Sequence, residues 1–225
     1  MKLRSTLLTF CFLSLMTPAL TSCVRHNEDD RALGEHHGDK TKSSTKHSVC
    51  ETSGSLKVPI EANGSVTLQR FEPNRERFCA IILSINPVFL GWIEDGKKSF
   101  EYRKSLPADA FSHILFLDNK AMKLVAIAEV TEALAGSPQE IINLTWRSSG
   151  TTPEGLNEYY GERAVGFAIE LKNFLRLPEP LSFQEAQALD SNFQRPYSYL
   201  FLDRYPAVNS EIITRAGIKT THDRE

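Results

Sequence analysis

Phe78-Cys-Ala-Ile-Ile-Leu-Ser-Ile85 is an apolar run of strand length, followed at once by Asn86-Pro87. An asparagine N-cap with proline in the first turn starts a helix. Val88, Phe89, Trp92 and Ile93 then share one helical face, and Gly96 ends it. Ser99–Arg103 alternates, with Phe100 and Tyr102 on one side and Glu101 and Arg103 on the other, polar side. Ser112–Asp118 and Met122–Val130 read as two strands joined at Asn119-Lys120. Residues 138–147 and 153–160 read as helices separated by Ser148-Ser149-Gly150, and Ala164–Leu171 as a further strand. Pro178 and Pro180 are expected to end regular structure, after which Ser182 caps the short helix FQEAQAL. Ahead of these blocks, residues 56–71 alternate on both sides of Asn63-Gly64, a dipeptide suited to a hairpin turn, and predict a two-stranded lead-in. Hairpin-like connections outnumber the long crossovers that a parallel sheet needs, which predicts an α+β fold. The expected architecture is a small, mostly antiparallel β-barrel with short helices at its mouth.

The first residues are patterned differently. Lys2 and Arg4 precede an apolar stretch from Leu7 to Met16, too short for a spanning helix, and small residues follow to Leu20-Thr21-Ser22-Cys23. This is a secretory signal pattern, and its last four residues resemble the bacterial lipobox. That resemblance implies a diacylated Cys23 and a signal peptide over residues 1–22. A plain secretory signal and a start site misassigned upstream of a cytoplasmic protein are the alternatives. Residues 23–49 then form a tether: positions 24–49 carry five Lys/Arg, five Asp/Glu and very few apolar side chains, so they cannot offset the entropy of ordering. His26, His36, His37 and His47 lie there at spacings that fit no fixed coordination geometry. The remaining boundaries are a lead-in hairpin at 50–76, the main domain at 77–206 and a C-terminal tail at 207–225.

Charge narrows the partners. The 225 residues carry a formal −2, and residues 77–206 hold 13 Lys/Arg against 16 Asp/Glu, net −3. Duplex DNA binding gains its strength from many basic contacts, so duplex is excluded as a partner. The basic residues concentrate instead in Lys97, Lys98, Arg103 and Lys104.

That cluster sits in Gly96-Lys-Lys98-Ser-Phe-Glu101-Tyr-Arg103, a G-x-K-x-x-E-x-R spacing placed after a strand and a proline-started helix. Arranged this way, the continuous stretch from Ile82 to Lys104 resembles the ASCH domain of the PUA-like superfamily. Ala128-Glu129-Val130, Gly161–Ile169 and Leu177-Pro-Glu-Pro-Leu181 extend the resemblance, so that it covers about residues 77–206. It implies a PUA-like barrel and a cleft beside the motif that binds a nucleotide or RNA, with Lys98, Glu101, Arg103 and Lys104 as ligand-binding residues. One departure is Asn86, where related sequences often carry lysine before the proline. Some small relatives are amidohydrolases of N4-acetylcytidine, whose catalytic set is a lysine, a threonine three residues later and a remote glutamate. Here the lysine position is Lys98, a weak catalytic candidate, but the threonine position is Glu101. Glu154 and Glu158 are the candidates for the remote carboxylate.

Other chemistry is thin. There is no Walker loop, H-E-x-x-H, C-x-x-C or G-x-S-x-G, so neither a cofactor nor a metal is expected. His113 opens an apolar strand and reads as structural. Glu129 is expected to pair with Arg103 or Lys98, Trp92 and Trp146 to fill the core or wall the cleft, and Tyr197 and Tyr199 to line the cleft or close the barrel. Cys50 and Cys79 remain after signal removal and acylation, and an oxidising compartment would allow a disulfide between them. Three readings follow. The first is an exported, membrane-anchored module that binds a nucleotide, short single-stranded RNA or a similar polar ligand. The others are a hydrolase of the acetylcytidine or ribonuclease type, and a structural lipoprotein that has lost its ligand.

Overall fold

The computed structural model describes residues 58–62, 64–73, 78–107 and 111–218. All of these residues belong to one compact unit within residues 45–225. The signal segment, the tether with Cys23, and Cys50 and Asn63 lie outside the described residues.

The strands are β1 (Gln69–Phe71), β2 (Ala80–Ile85), β3 (Phe100–Arg103), β4 (His113–Asp118), β5 (Lys123–Gly136), β6 (Gly166–Ser182) and β7 (Leu200–Phe201). They form one curled sheet in the order β3-β6-β5-β4-β2-β7, with β1 added to β5. β2 and β4 run parallel and all other pairs are antiparallel. The helices are α1 (Pro87–Glu94), α2 (Pro138–Thr145), α3 (Pro153–Tyr160), α4 (Phe183–Leu189) and α5 (Pro206–Ala216). This is the α+β, largely antiparallel half-barrel that the sequence predicts.

β2 and β4 are apolar at nearly every position because both of their faces are covered. Ile81, Leu83 and Ile85 join Ile114, Phe116, Ala128 and Ile169 in one core. Ala80 and Ile82 join Leu115 and Leu117 in a second, covered by Phe193, Leu202, Val208 and Ile212. Residues 207–225, expected as a tail, thus begin with a helix that seals this second core. A third core packs α2 and α3 onto the sheet through Tyr102, Leu134, Ile141, Ile142, Leu156, Tyr160 and Ala168.

Four local expectations change. The lead-in hairpin reduces to a single bridge between Ile60 and Val66 at the turn carrying Gly64 (φ 80°), and β1 joins the main sheet instead. β5 continues six residues past Val130 to Gly136, its alternation shifted by a bulge between Val130 and Glu132. β6 runs through Pro178 and Pro180 to Ser182. Both prolines fall where the β5–β6 register jumps from Arg176 opposite Ala126 to Leu181 opposite Leu124, so neither is asked for a ladder N–H. Arg215 of α5 donates to the carbonyls there, to Pro180 at 3.0 Å and Glu179 at 3.3 Å. The fourth change concerns 138–147, which is α-helical only to Thr145 and continues as a tight turn over Trp146–Ser148.

Helix starts follow the sequence closely. Asn86 Oδ1 accepts from the Val88 amide at 3.0 Å, and Ser137 and Ser182 complete capping boxes with Glu140 and Glu185. Among the described residues no helix is long and apolar enough to cross a membrane.

Candidate functional site: a cleft at the seam between two strands

The sheet does not close on itself. Among the described residues β3 pairs only with β6, and β7 covers β2 only at Ile81 and Ile82. The end of β2 therefore faces β3 without a ladder, and a cleft of about 320 Å³ occupies this place. Ser84, Ile85 and Asn86 line it from the β2 side, and Lys98, Glu101, Tyr102 and Arg103 from the β3 side. Helices contribute the rest of the wall, Phe89 from α1 and Gly155, Leu156 and Tyr159 from α3, with Asn119 and Thr151 from loops. The expectation of helices at the barrel mouth holds for α1 and α3. α4 packs into the second core with α5, away from the cleft lining.

Turns set the position of Lys98. Gly96 takes φ 71° after the end of α1, and the Lys98 amide then donates to Trp92 O at 2.9 Å. Lys98 forms a backbone bridge with Ser149, and the Ser99 amide donates to Ser148 O, so the loop between α2 and α3 holds the motif from outside. Gly150, at φ 75°, lies under the Trp92 ring, where a Cβ would come within 2.7 Å of a ring carbon.

Glu101 and Arg103 share a face of β3, as alternation predicts, but that face turns toward the cleft rather than open solvent. Glu101 is buried and joins both cations: Lys98 Nζ stands 3.3 Å from Oε2 and Arg103 Nη2 2.8 Å from Oε1. Lys98 also donates to Phe100 O, and its ammonium lies 4.8 Å from the Tyr102 ring centroid. Burial pushes the Lys98 amine below the usual lysine range, partly offset by Glu101. Arg103 Nη2 reaches across the seam to Ser84 O at 3.0 Å. The triad carries net +1, less positive than the four clustered basic residues of the sequence suggest. Lys97 is paired with Asp95 at 2.7 Å. Among the described residues Lys104 makes no ion pair, and its ammonium lies 5.0 Å from the Tyr159 ring at the rim of the cleft.

The opposite face of β3 belongs to the third core. Tyr102 donates to Thr145 Oγ1 at 2.9 Å, and burial raises its phenol pKa to about 12. Tyr159 donates to Tyr102 O at 3.0 Å while 37% of its surface stays exposed. Phe89 is 42% exposed although its periodicity marks it for the core; Leu90 and Ile93 are the buried positions of α1. The helix is short and apolar nearly all round, so periodicity alone could not orient it.

Of the other residues singled out in the sequence, the three glutamates lie outside the cleft lining, and most of the rest take structural places. Glu129 accepts from Asn173 Nδ2 at 2.7 Å and has neither Lys98 nor Arg103 as an ion-pair partner. Glu154 and Glu158 are exposed and absent from the cleft lining. Trp92 packs edge-on against Phe89 at 5.3 Å, Trp146 leans on the third core, Tyr199 meets Phe201 and Tyr197 is fully exposed. His113 Nδ1 lies 2.8 Å from Ser112 Oγ, and burial lowers its pKa. Cys79 is disulfide-bonded, and Cys50, its expected partner, lies outside the described residues. Asn86 lines the cleft, and its side chain is committed to capping α1. Sequence reasoning missed Phe89, Tyr159, Ser84 and Asn119 as cleft walls, because each comes from an element brought to the motif only by folding.

No protein-family model matches the chain, and no curated protein matches it. Solved structures do. The ASCH protein of Zymomonas mobilis superposes with a TM-score of 0.54 at 19% identity, over 60% of this chain and 94% of that one. A tyrosine-to-phenylalanine variant of the same protein matches equally, with a TM-score of 0.54 over 60% of this chain and 96% of that one. A serine-to-alanine variant gives 0.55 over 63% and 97%, again at 19% identity. The described domain therefore has the fold of these ASCH structures, an α+β half-barrel.

Proposed function

We propose that this protein is an exported, lipid-anchored binding module whose seam cleft takes a nucleotide or a short single-stranded RNA. The observation that carries this reading is the distribution of unsatisfied groups. Of the four buried side-chain polar atoms without a partner among the described residues, three belong to cleft residues: Ser84 Oγ, Arg103 Nε and Asn119 Oδ1. Native interiors leave few such atoms unpaired, and each one clustered at a cleft is a group that a ligand would satisfy. Donor and acceptor stand together, as recognition of a base edge requires. Phe89 and Tyr159 present partly exposed aromatic faces in the same cleft, and a base can stack on such a surface. The ASCH-type fold supports an RNA-related role, and the signal pattern ending at Cys23 supports export and acylation.

Electrostatics favours a small or single-stranded ligand. Asp95 and Glu101 already partner Lys97, Lys98 and Arg103, which leaves Lys104 as the cation of this cluster without a carboxylate partner. Binding through one or two phosphates gives a log-affinity slope against log salt of roughly −1, against a far steeper one for proteins that coat duplex.

A hydrolytic reading is favoured by one contact, that between Lys98 and the Glu101 carboxylate. Each oxygen of Glu101 already meets a cation, and no hydroxyl stands in the threonine position, so the binding reading is the stronger. The test is titration of the mature protein with nucleoside monophosphates, a short single-stranded RNA and a duplex of equal length. Saturable binding of a mononucleotide or the single strand, with weak salt dependence, supports the reading. Preference for duplex, or no binding of any of the three, overturns it.

A further inference from the structure

We infer that Arg103 is a strap that closes the seam between β2 and β3, and so a positioning residue that sets the width of the cleft. β2 is paired on one edge with β4 throughout, and the Ile85 carbonyl on that side accepts from the Asn119 amide at 3.0 Å. Carbonyls alternate between the two edges of a strand. The preceding one, Ser84 O, therefore faces the seam, past the last residue that β7 pairs. There it would have no strand partner, and the Arg103 guanidinium supplies one at 3.0 Å.

The same Nη2 meets Glu101 Oε1 at 2.8 Å, and Glu101 in turn meets Lys98, whose backbone is bridged to Ser149. One planar side chain thus connects the open end of β2 to β3 and through it to the loop between α2 and α3. Its Nε has no hydrogen-bond partner among the described residues. Lysine is a poorer link: both contacts come from one nitrogen whose two N–H groups the guanidinium plane holds in fixed directions, whereas an ammonium sits on a shorter stem and rotates freely. This inference stands on ladder geometry and does not require that the ligand be a nucleotide.

The experiment is amide hydrogen exchange on the ligand-free mature protein, comparing wild type with Arg103→Lys and Arg103→Ala. The β4–β5 hairpin serves as internal reference. Loss of a charge-assisted buried bond opens the seam locally, so exchange at Ser84–Asn86 and Phe100–Arg103 should quicken roughly tenfold or more in both variants while the reference hairpin is unchanged. Millimolar methylguanidine should restore protection in Arg103→Ala, and methylamine at the same concentration should not. Unchanged exchange at the seam in both variants would overturn the inference, as would equal rescue by methylamine or full protection retained by Arg103→Lys. Should Arg103→Ala fold poorly, Arg103→Lys decides alone, since charge without the guanidinium plane should still loosen the seam.

Discussion

The Glu101 carboxylate stands between two cations, with Lys98 Nζ 3.3 Å from one oxygen and Arg103 Nη2 2.8 Å from the other, and both acid and lysine are buried. The two single removals are therefore unequal. Truncating Glu101 to alanine leaves two cations facing each other without their counter-charge, at a cost of about 3–5 kcal/mol for a broken buried pair. Lys98→Met leaves Glu101 its arginine and keeps the apolar stem, so it should cost no more than about 1.5 kcal/mol, the cost of a volume-conserving core swap. Urea unfolding of the two variants measures the difference, and equal losses would refute the arrangement.

The pH dependence of stability has two signs to check. Tyr102 has its pKa raised from 10 to about 12 by burial, so the unfolded chain loses its proton first as pH rises. Its contribution is intact below pH 10 and declines between about 10 and 12. Tyr102→Phe should flatten that decline; the remaining slope belongs to Tyr159, Tyr160 and Tyr205, shifted the same way by burial, and is opposed by Lys98, which burial shifts downward. His113 is lowered by burial, so its contribution is intact above pH 6.5 and is lost as pH falls toward its folded pKa. Unfolding free energies at pH 5, 7, 9 and 11, and an NMR titration of His113 with a midpoint below 6.5, check both.

Gly150 combines positive φ with a close approach to Trp92, and it positions the loop that holds the Lys98 backbone. Gly150→Ala should destabilise by roughly 1–3 kcal/mol, through backbone strain and displacement of the indole. Gly91→Ala, where a Cβ meets nothing within 4 Å in a helix, should stabilise by up to about 1 kcal/mol. Thermal denaturation of the two variants should move in opposite directions.

Export and acylation predict that labelled fatty acid enters the wild-type chain and not Cys23→Ala. They also predict that non-reducing peptide mapping finds Cys50 joined to Cys79. Incorporation of label into Cys23→Ala would exclude that acylation site, and free alkylation of Cys50 would exclude the pairing.

How far the fold is legible from sequence depends on whether local signals decide an element. Caps did decide where they were read: Asn86 and Ser182 each accept a backbone N–H at the start of a helix, and Ser137 and Thr152, not read as caps, do the same. The apolar runs of β2 and β4 announced strands buried on both faces. The prolines of β6 misled, because a bulge removes the hydrogen-bond demand that normally excludes them. In the site, Lys98, Glu101 and Arg103 were legible because they fall in one short motif, the lysine in the turn before β3 and the other two at alternate positions of β3, though the neutralising geometry of Glu101 was not. Phe89 and Tyr159 were invisible as cleft walls, since α1 and α3 meet the motif only through tertiary packing. The outward rotation of α1 follows from Leu90 and Ile93 filling the core, which a uniformly apolar helix does not reveal in advance.

Ligand binding by the Phe89→Ala variant tests the central claim most directly. Phe89 is 42% exposed and is not among the buried positions of α1, so its truncation should leave the fold in place. The account predicts that affinity for a mononucleotide or short single-stranded RNA falls by about five- to a hundredfold, the worth of one base stacked on an aromatic ring, with the melting temperature unchanged. Wild-type affinity in both Phe89→Ala and Tyr159→Leu would contradict it and place the ligand, if the protein has one, outside the seam cleft.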